Sequence, residues 1–316
     1  MKKKLLICGA TGFIGRNMVE YFSALNDFDV IAVNNKRPPF DHPNVKWIRA
    51  DLTNPEDVNK IVQGVDILIQ AAATTSGSKD IVTRPFIHTT DNAVMNSLIF
   101  RAAHENGVKH ILFFSCTVML QSSDKALTEE DFDANTPIHP RYFGVGWTKV
   151  YLEKMCEFYA GLGKTKYTAI RHSNIYGPHD KYDLERSHVF GATVTKVMTA
   201  KDKITVWGTG EEARDLLYVA DLTDFVHKAI DNQQNQYELF NCGAGKAVRI
   251  KDLVSLIIKA SGKKLTIEHD LSQPSIPTSL FLDCSKAKKI LGWSPTIQLE
   301  EGIEKTLKWY RSNFNG

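Results

Sequence analysis

A glycine-rich segment near the start of the chain is the feature that most constrains the fold. Gly9 to Gly15 follow directly on the apolar run Leu5–Cys8, and helical apolar spacing begins within them. In such a strand–loop–helix unit, Gly9 permits the tight turn, Gly12 lets the backbone approach a pyrophosphate, and Gly15 lets the helix pack closely. Free amides at the helix start then receive the phosphate charge. The expected dinucleotide-binding residues are Gly9, Thr11, Gly12, Phe13, Ile14 and Gly15.

Short apolar runs alternate with helix-length periodic segments through the first half of the chain. Strands are predicted at Leu5–Cys8, Val30–Val33, Val65–Gln70, His110–Ser115 and Tyr167–Arg171, and helices at Phe13–Leu25, Pro55–Gln63, Asn92–Asn106 and Thr148–Leu162. This alternation predicts right-handed βαβ units. The expected fold class is α/β, a doubly wound parallel Rossmann sheet with a smaller α/β substrate-binding lobe. We expect a dinucleotide-binding domain over 1–172 and a substrate lobe over 173–316, with about 220–243 returning to the first domain.

Composition argues against several classes of function. The net charge of +3, from 39 basic and 36 acidic residues, is too small to indicate a nucleic-acid surface. The five cysteines form no C-x-x-C pair, which indicates a reducing compartment and no metal site. The apolar run after Met1–Lys4 is too short for a signal peptide or a membrane span. We therefore expect a cytoplasmic protein that binds neither nucleic acid nor membrane.

Several further segments carry a resemblance to a known family. They are the spacing G-x-x-G-x-x-G, the segment Tyr142–Lys149, the stretch Asn174–Asp180 and the pair Asp221–Leu222. Together they resemble the extended short-chain dehydrogenases, which include nucleotide-sugar epimerases, dehydratases and 4-keto reductases, and the resemblance covers nearly the whole chain. It implies NAD as the cofactor and a substrate cleft between two lobes. It also implies a homo-oligomer, a dimer or a tetramer, formed through the helix that carries Lys149.

The same resemblance assigns cofactor contacts beyond the glycine loop. Asn34 ends the second strand, where the family binds the adenosine ribose, and Lys36 and Arg37 follow it. An asparagine can bind a ribose hydroxyl, whereas the two cations could hold a 2′-phosphate, so these residues leave NAD and NADP both open. The remaining implied contacts are Asp51 and Leu52 at the adenine, the small-residue turn of Ala71, Ala72 and Ala73 under the cofactor, Asn92, and Lys149.

The catalytic segment departs from the family at one position. A Tyr-x-x-x-Lys pair places both side chains on one helical face, and in the family the tyrosinate takes the hydroxyl proton as hydride leaves. Lys149 fills the lysine position here, but Val145 stands at the tyrosine position. Three substitutes stay open. Tyr142 could act if its segment is not yet helical, Lys149 could act directly, or water or a substrate hydroxyl could relay through Ser115 or Thr117.

The residues after the fifth strand restrict the chemistry. Ser115 falls on the family's Ser/Thr that binds the sugar 4-hydroxyl, and Cys116 and Thr117 stand where 4,6-dehydratases carry Asp and Glu. Neither is a good acid at neutral pH, which disfavours elimination of water. The family's GDP-fucose synthases pair a histidine at the His188 position with a cysteine. That cysteine position is Thr117 here, and Cys116 would point to the opposite face of a continuing strand, which disfavours double epimerisation.

The second lobe supplies the expected substrate contacts. Lys196 and Arg214 match positions that bind the nucleotide diphosphate, since a pyrophosphate in a partly buried cleft needs fixed cations. Trp207 is a candidate for lining the base pocket, and His188 is a single acid or base or a substrate contact. The predicted substrate-binding set is Asn174, His188, Val189, Lys196, Trp207 and Arg214.

An oxidation is the chemistry that remains after these exclusions. The stretches Phe143–Lys154 and Ile170–Val194 resemble the GDP-D-glycero-D-manno-heptose 4-dehydrogenases of bacterial capsular polysaccharide pathways. That resemblance implies hydride removal from C4 of a GDP-sugar by bound NAD, which gives a 4-keto sugar. One alternative is a nucleotide-sugar epimerase or 4-keto reductase. The other is a catalytically inactive NAD(H)-binding sensor or scaffold.

Overall fold

A seven-stranded parallel sheet lies at the centre of this computed structural model, which describes residues 2–74, 84, 86–184, 187–272 and 278–314. Its strands are β1 (Lys3–Cys8), β2 (Phe28–Asn34), β3 (Val45–Arg49), β4 (Ile67–Gln70), β5 (His110–Phe114), β6 (Lys166–His172) and β10 (Tyr237–Cys242). They lie in the order β10–β6–β5–β4–β1–β2–β3. Every adjacent pair is parallel, so all seven carboxyl ends meet at one edge, where a Rossmann sheet binds its ligands.

Helices cover both faces of this sheet. The helices are α1 (Phe13–Ser23), α2 (Pro55–Val62), α3 (Phe86–Glu105), α4 (Phe143–Gly161), α5 (Val189–Thr199), α6 (Val219–Asn232), α7 (Ile250–Ser261), α8 (Ser285–Leu291) and α9 (Leu299–Phe314). Leu5 and Ile7 of β1 share an apolar core with α1, α6 and α8. Leu6 and Cys8 face the other side and pack with α2, α3 and α4. Because alternate residues of a strand point to opposite faces, both faces are apolar, and the fold is a doubly wound α/β fold.

The remaining strands form two small sheets. They are β7 (Asn174–Tyr176), β9 (Ala213–Tyr218) and β11 (Ala247–Arg249) in one sheet, and β8 (Lys203–Trp207) and β12 (Thr266–Asp270) in the other. A third apolar core joins them to α5, α7 and α9, while β10 returns to the main sheet beside β6. The division into two domains near residue 172 stays a prediction. In the part of the chain that the structure describes, no helix is both long and apolar enough to cross a membrane.

Several elements differ from the expectation drawn from sequence, and α3 begins at Phe86 rather than Asn92. Helix α4 begins at Phe143 rather than Thr148, directly after a 3₁₀ turn at Pro140–Tyr142. The segment around Val145 is therefore helical, so the condition under which Tyr142 could take the place of the missing tyrosine is not met. The sequence pattern also does not predict β3, an edge strand in which no residue is fully buried. Its apolar signal is correspondingly weak.

Candidate active site

The glycine loop forms a concave backbone surface, called here the glycine cradle, that side chains at Gly9 and Gly15 would fill. Gly9 has φ +71°, and a Cβ there would lie 2.6 Å from the backbone of Ala72. A Cβ on Gly15 would lie 2.1 Å from the Gly9 carbonyl oxygen. No side chain caps the start of α1 at Gly12, so the amides of its first turn are open to an anion. The loop residues predicted to bind the cofactor, Gly9, Thr11, Gly12, Phe13, Ile14 and Gly15, all lie at this cradle, which fits a dinucleotide pyrophosphate.

The end of β2 lies beside this loop. Asn34 is buried, and its side-chain amide donates to the Arg37 carbonyl oxygen at 3.0 Å. The Arg37 guanidinium donates to the Thr11 carbonyl oxygen at 3.5 Å, whereas Lys36 is exposed. One N–H of the Asn34 side-chain amide is thus committed to the local turn. Its second N–H and its oxygen are left for a ribose hydroxyl.

Asp51 and Leu52 follow β3 and reach the same edge of the sheet. The Asp51 carboxylate accepts hydrogen bonds from the Thr53 amide at 2.9 Å and from the Thr53 hydroxyl at 2.7 Å. These bonds lower the pKa of Asp51, and the charge of Lys36 lowers it further. Leu52 is buried. Asp51 is therefore an exposed, ionised acceptor, and its contact with adenine stays a prediction.

The small-residue turn after β4 is fastened by Asn92. Its side-chain oxygen accepts from the Thr74 amide at 3.0 Å, and its side-chain nitrogen donates to the Thr74 carbonyl oxygen at 3.1 Å. Ala71 and Ala72 thereby lie against the glycine loop, with the Ala71 amide donating to the Cys8 carbonyl oxygen, while Ala73 is exposed. Asn92 is buried, so what the structure shows for it is support of the turn.

Lys149 reaches the end of β5 from the first half of α4. Its Nζ donates to the Phe114 carbonyl oxygen at 2.7 Å and lies 4.7 Å from the centre of the Phe113 ring. Burial lowers the pKa of Lys149. Val145 lies one helical turn earlier on the same face, at the position where the family carries tyrosine. The lysine half of the Tyr-x-x-x-Lys pair is therefore in place at the carboxyl edge of the sheet.

Ser115 points under α4, into a buried polar network. Its hydroxyl donates to Glu153 Oε1 at 2.5 Å. Glu153 also accepts from the Arg171 guanidinium at 3.0 and 2.7 Å, and both side chains of this ion pair are 4% exposed. In this arrangement the Ser115 hydroxyl is committed to Glu153. Its predicted contact with a sugar hydroxyl would need a different side-chain rotamer and stays a prediction.

Tyr142 ends the 3₁₀ turn that precedes α4. Seven residues separate it from Lys149, whereas Val145 is the residue one helical turn before the lysine. Burial raises the pKa of Tyr142, while the charge of Arg214 opposes that rise. Burial also raises the pKa of the Cys116 thiol, against the opposing charge of Lys149. Tyr142, Cys116 and Arg214 are thus neighbours in one cleft.

The alternation argument for Cys116 and Thr117 does not hold. Strand β5 ends at Phe114, and the Thr117 carbonyl oxygen already accepts from the Leu120 amide at 3.0 Å in a turn. Because the chain is no longer extended there, the two side chains need not point to opposite faces. Cys116 and Thr117 are both partly exposed at this edge of the sheet. Either one can therefore face a ligand.

Two histidines interact electrostatically near Lys149, and only His188 belongs to a predicted site. His188 directly precedes α5 and is exposed as a residue, while desolvation of its ring and the charge of Lys181 lower its pKa. His172, the last residue of β6, has its pKa lowered to about 4 by burial and by the charges of Lys149 and His188. No sequence motif marks His172, and only the packing of β6 beside β5 brings it to Lys149.

The predicted substrate contacts divide into two groups in the second lobe. Lys196 donates to the Thr205 carbonyl oxygen at 2.9 Å and lies 5.4 Å from the centre of the Trp207 ring, which is 45% exposed. Arg214 on β9 donates to the carbonyl oxygens of Ala213 and Thr278 and faces Tyr142.

Asn174 and Val189 lie nearer the histidines. The side-chain amide of Asn174 donates to the Asp215 carbonyl oxygen at 3.2 Å, and Val189 is the first residue of α5, directly after His188. Electrostatic interactions thus connect Lys149, His172, His188, Cys116, Tyr142 and Arg214, and Lys196 lies beside Trp207.

Known proteins with this fold carry the same arrangement of elements. The chain is 27% identical over 318 residues to the GDP-L-colitose synthase of Yersinia pseudotuberculosis, with 99% of each chain covered. It is 26% identical over 314 residues to the GDP-L-fucose synthase of Azorhizobium caulinodans, covering 98% of this chain and 96% of that one. The crystal structure of the UDP-glucose 4-epimerase of Thermotoga maritima, solved with UDP-glucose, superposes with a TM-score of 0.87 at 25% identity, covering 98% and 99% of the two chains.

The family assignment rests on a match to most of the chain. The profile of the NAD dependent epimerase/dehydratase family matches residues 5–243, which include the glycine cradle, Lys149 and both histidines. The cradle at Gly9, Gly12 and Gly15 independently fits a dinucleotide. The chain belongs to the NAD dependent epimerase/dehydratase family, and it is an enzyme of that family with NAD as its cofactor.

Proposed function

We propose that this enzyme oxidises C4 of a GDP-sugar, with NAD as hydride acceptor, to a 4-keto sugar that leaves as the product. The observation that carries the proposal is the composition of the cleft around Lys149. The lysine is held at the end of β5, no tyrosine stands one turn before it, and no acid follows Ser115. A 4,6-dehydratase needs that acid to expel water, and a 4-keto reductase needs a proton donor at the tyrosine position.

The residues of the chain have separable roles in this reaction. NAD, when bound at the glycine cradle, supplies the site that receives the hydride. Lys149 places a positive charge at the end of β5, where it stabilises negative charge that develops on the sugar oxygen. Arg214 and Lys196 are the fixed cations proposed to bind the diphosphate of the substrate. Asn174, His188, Val189 and Trp207 are the remaining proposed contacts with the sugar and the base.

The proposed sugar is a manno-heptose carried by GDP. The stretches around α4 and from Ile170 to Val194 resemble GDP-manno-heptose 4-dehydrogenases, and two relatives bear names that begin with GDP. The 4-keto product would feed the synthesis of capsular or other surface polysaccharide.

A second candidate function is 3,5-epimerisation with 4-reduction of a GDP-4-keto sugar. The relatives named GDP-L-colitose synthase and GDP-L-fucose synthase support it. One structural observation favours it as well. Because β5 ends at Phe114, Cys116 can face the cleft opposite His188, and together they would supply a thiol and an imidazole for proton transfer at carbon. A sensor or scaffold without catalysis is the remaining alternative, and it would show no redox change with any sugar.

We also propose that the protein forms a homo-oligomer through α4. Three large apolar side chains are unusually exposed here: Tyr151 and Phe158 on this helix and Leu162 directly after it expose 51%, 63% and 49% of their surface. A second copy of the same helix would cover them and leave the opposite, buried face of α4 with Lys149 undisturbed.

Mass spectrometry of the sugar nucleotide separates these functions. The purified enzyme is incubated with NAD and a panel of GDP-hexoses and GDP-manno-heptoses in deuterated water. Loss of two hydrogens together with NADH formation is the result expected of a 4-dehydrogenase. Loss of water would overturn the exclusion of the dehydratase. Deuterium uptake at C3 and C5 of a GDP-4-keto sugar, without oxidation of the parent sugar, would establish the second candidate instead.

A further inference from the structure

We propose that His172 is the proton acceptor of this enzyme and replaces the tyrosine that is missing at Val145. The inference rests on the proposed oxidation of a sugar hydroxyl. It goes beyond it by naming a residue outside the family's catalytic segment as the group that receives the hydroxyl proton. His172 ends β6, and β6 lies next to β5, whose end carries Lys149 on its last carbonyl oxygen.

Phe114 fixes the relative position of His172 and Lys149. Lys149 Nζ lies 2.7 Å from the Phe114 carbonyl oxygen, and the His172 ring packs edge-on against the Phe114 ring with centres 6.0 Å apart. The imidazole and the ammonium group therefore lie beside the same residue, at the edge of the sheet where the glycine cradle opens. His188, directly before α5, interacts electrostatically with His172.

The hydrogen bond at Nδ1 sets the tautomer of His172. Nδ1 lies 2.7 Å from the carbonyl oxygen of Ser173. A carbonyl oxygen only accepts, so Nδ1 must carry the proton, and Nε2 keeps its lone pair. Nε2 has no hydrogen-bond partner among the residues that the structure describes. It is also not one of the fully buried polar atoms that lack a partner. A polar nitrogen at this edge of the sheet is thus left as an unused acceptor.

The charges around His172 keep it neutral. Burial, the Lys149 ammonium on α4 and the His188 ring before α5 all disfavour the imidazolium, and the hydrogen bond to Ser173 only partly offsets them. His172 is therefore neutral across the physiological range of pH, and its Nε2 lone pair is free of a proton. Lys149 is less suited to this role, because its Nζ is already engaged as a donor to Phe114.

The proposed step balances in atoms and electrons. The O–H bond at C4 of the sugar breaks, and its proton forms a bond with His172 Nε2. The C4–H bond breaks at the same time, and its electron pair leaves as hydride to the nicotinamide of NAD⁺. The second bond of the C4 carbonyl forms, so the sugar carbon is oxidised and the cofactor is reduced to NADH. The imidazolium then releases its proton to water on the exposed side of the cleft, past His188.

The test compares His172→Ala with wild type in single-turnover formation of NADH. We expect the rate to fall about 10²- to 10⁴-fold, the usual effect of a general base, while the affinities for NAD and for the GDP-sugar change little. Added imidazole should restore much of the rate, because it can occupy the vacated space and accept the proton. His110→Gln is the matched control, since His110 is a buried histidine at the opposite end of the sheet, and its variant should keep the wild-type rate.

Each outcome separates the inference from the function on which it rests. Wild-type enzyme that forms no NADH with any GDP-sugar would overturn the proposed function. Wild-type activity together with an unimpaired His172→Ala variant would overturn the role of His172 alone. A slow variant that binds both ligands but gains nothing from imidazole would reduce His172 to a positioning residue. A slow variant rescued by imidazole supports the proposal.

A spectroscopic readout tests the same residue without catalysis. In the NAD-loaded enzyme labelled with ¹⁵N at histidine, the His172 resonances can be assigned by their loss in His172→Gln. We expect a neutral imidazole protonated at Nδ1 at pH 7. An imidazolium, or a neutral ring protonated at Nε2, would overturn the assignment of His172 as acceptor.

Discussion

Replacing Arg171 by leucine should destabilise the enzyme far more than the loss of a surface ion pair. Arg171 donates two hydrogen bonds to Glu153, at 3.0 and 2.7 Å, and both side chains are 4% exposed. A third bond joins its Nη1 to the Glu129 carbonyl oxygen at 2.9 Å. The network lies directly beneath Ser115 and ties β6 to α4.

The magnitude follows from what Arg171→Leu leaves behind. Glu153 would stay buried with the Ser115 hydroxyl as its remaining donor, and one hydroxyl cannot replace a bidentate guanidinium. Breaking a buried ion pair by removing one partner typically costs about 3–5 kcal/mol. That cost is a large part of a stability of roughly 5–15 kcal/mol, so the variant should unfold at a clearly lower urea concentration.

Urea unfolding at pH 7, followed by tryptophan fluorescence, measures this cost. Lys154→Ala is the control, since its pair with Glu157 on the same helix is 72% and 49% exposed and should contribute less than about 1 kcal/mol. The double variant Arg171→Leu, Glu153→Leu removes both charges and should recover much of the loss. The buried-charge explanation would be refuted if Arg171→Leu lowered the free energy of unfolding no more than Lys154→Ala does. It would also be refuted if the double variant lost as much free energy of unfolding as the two single variants together.

Three further outcomes are expected. Burial raises the pKa of Asp180 from 3.8 to about 7, and its Oδ2 has no partner among the described residues. The folded state therefore keeps a proton that the unfolded state releases, so the free energy of unfolding should fall as pH rises from about 4 through 7. Asp180→Asn should flatten that dependence in urea titrations, and an unchanged slope would contradict it. Gly15→Ala should lower the affinity for NADH at least tenfold by fluorescence titration, since its Cβ would meet the Gly9 carbonyl oxygen at 2.1 Å. Phe158→Glu should shift the mass measured by sedimentation towards that of a monomer, and an unchanged mass would exclude this face of α4 as the interface.

The fold could be predicted from sequence because its signals are local and repeated. Each buried strand is an apolar run followed by a helical period, and the glycine cradle marks the first unit. The start of α4 could not be predicted, because Gly144 and Gly146 are poor helix formers in isolation. Tertiary packing overrides that preference. A Cβ on Gly144 would lie 2.6 Å from Thr89 Oγ1, and one on Gly146 would lie 3.0 Å from Ile138, so close approach to neighbouring segments is what these glycines permit.

Site residues that belong to a sequence motif could be predicted, whereas residues brought together only by packing could not. Lys149 could be placed on a helical face from the spacing of its motif, and its Nζ lies at the end of β5. Ser115 could be placed after β5, but no sequence pattern shows that Glu153 lies beneath it and takes its hydroxyl. His172 was missed for the same reason. Its neighbours Lys149 and His188 are distant in sequence, and only the order of strands in the sheet joins them.

The proposed role of His172 predicts how the rate in each direction of the proposed reaction depends on pH, and both rates can be measured. Oxidation of an alcohol by NAD releases one proton, so either the forward or the reverse rate must depend on pH. With a pKa of about 4, His172 is neutral above about pH 5, where oxidation should be independent of pH. Reduction of the 4-keto sugar should then slow about tenfold per pH unit, because the imidazolium that must donate the proton becomes scarce.

A tyrosine that is protonated at neutral pH would give the opposite pattern. Its ordinary pKa is near 10, so reduction would be flat and oxidation would rise with pH. Single-turnover rates in both directions between about pH 5.5 and 8.5 distinguish the two cases, with Tyr142→Phe as the control for the tyrosine of the cleft. An oxidation rate that rises tenfold per unit, and that Tyr142→Phe abolishes, would refute the histidine. Flat oxidation, together with reduction that slows about tenfold per pH unit, would support His172 as the group that accepts the proton of the sugar hydroxyl.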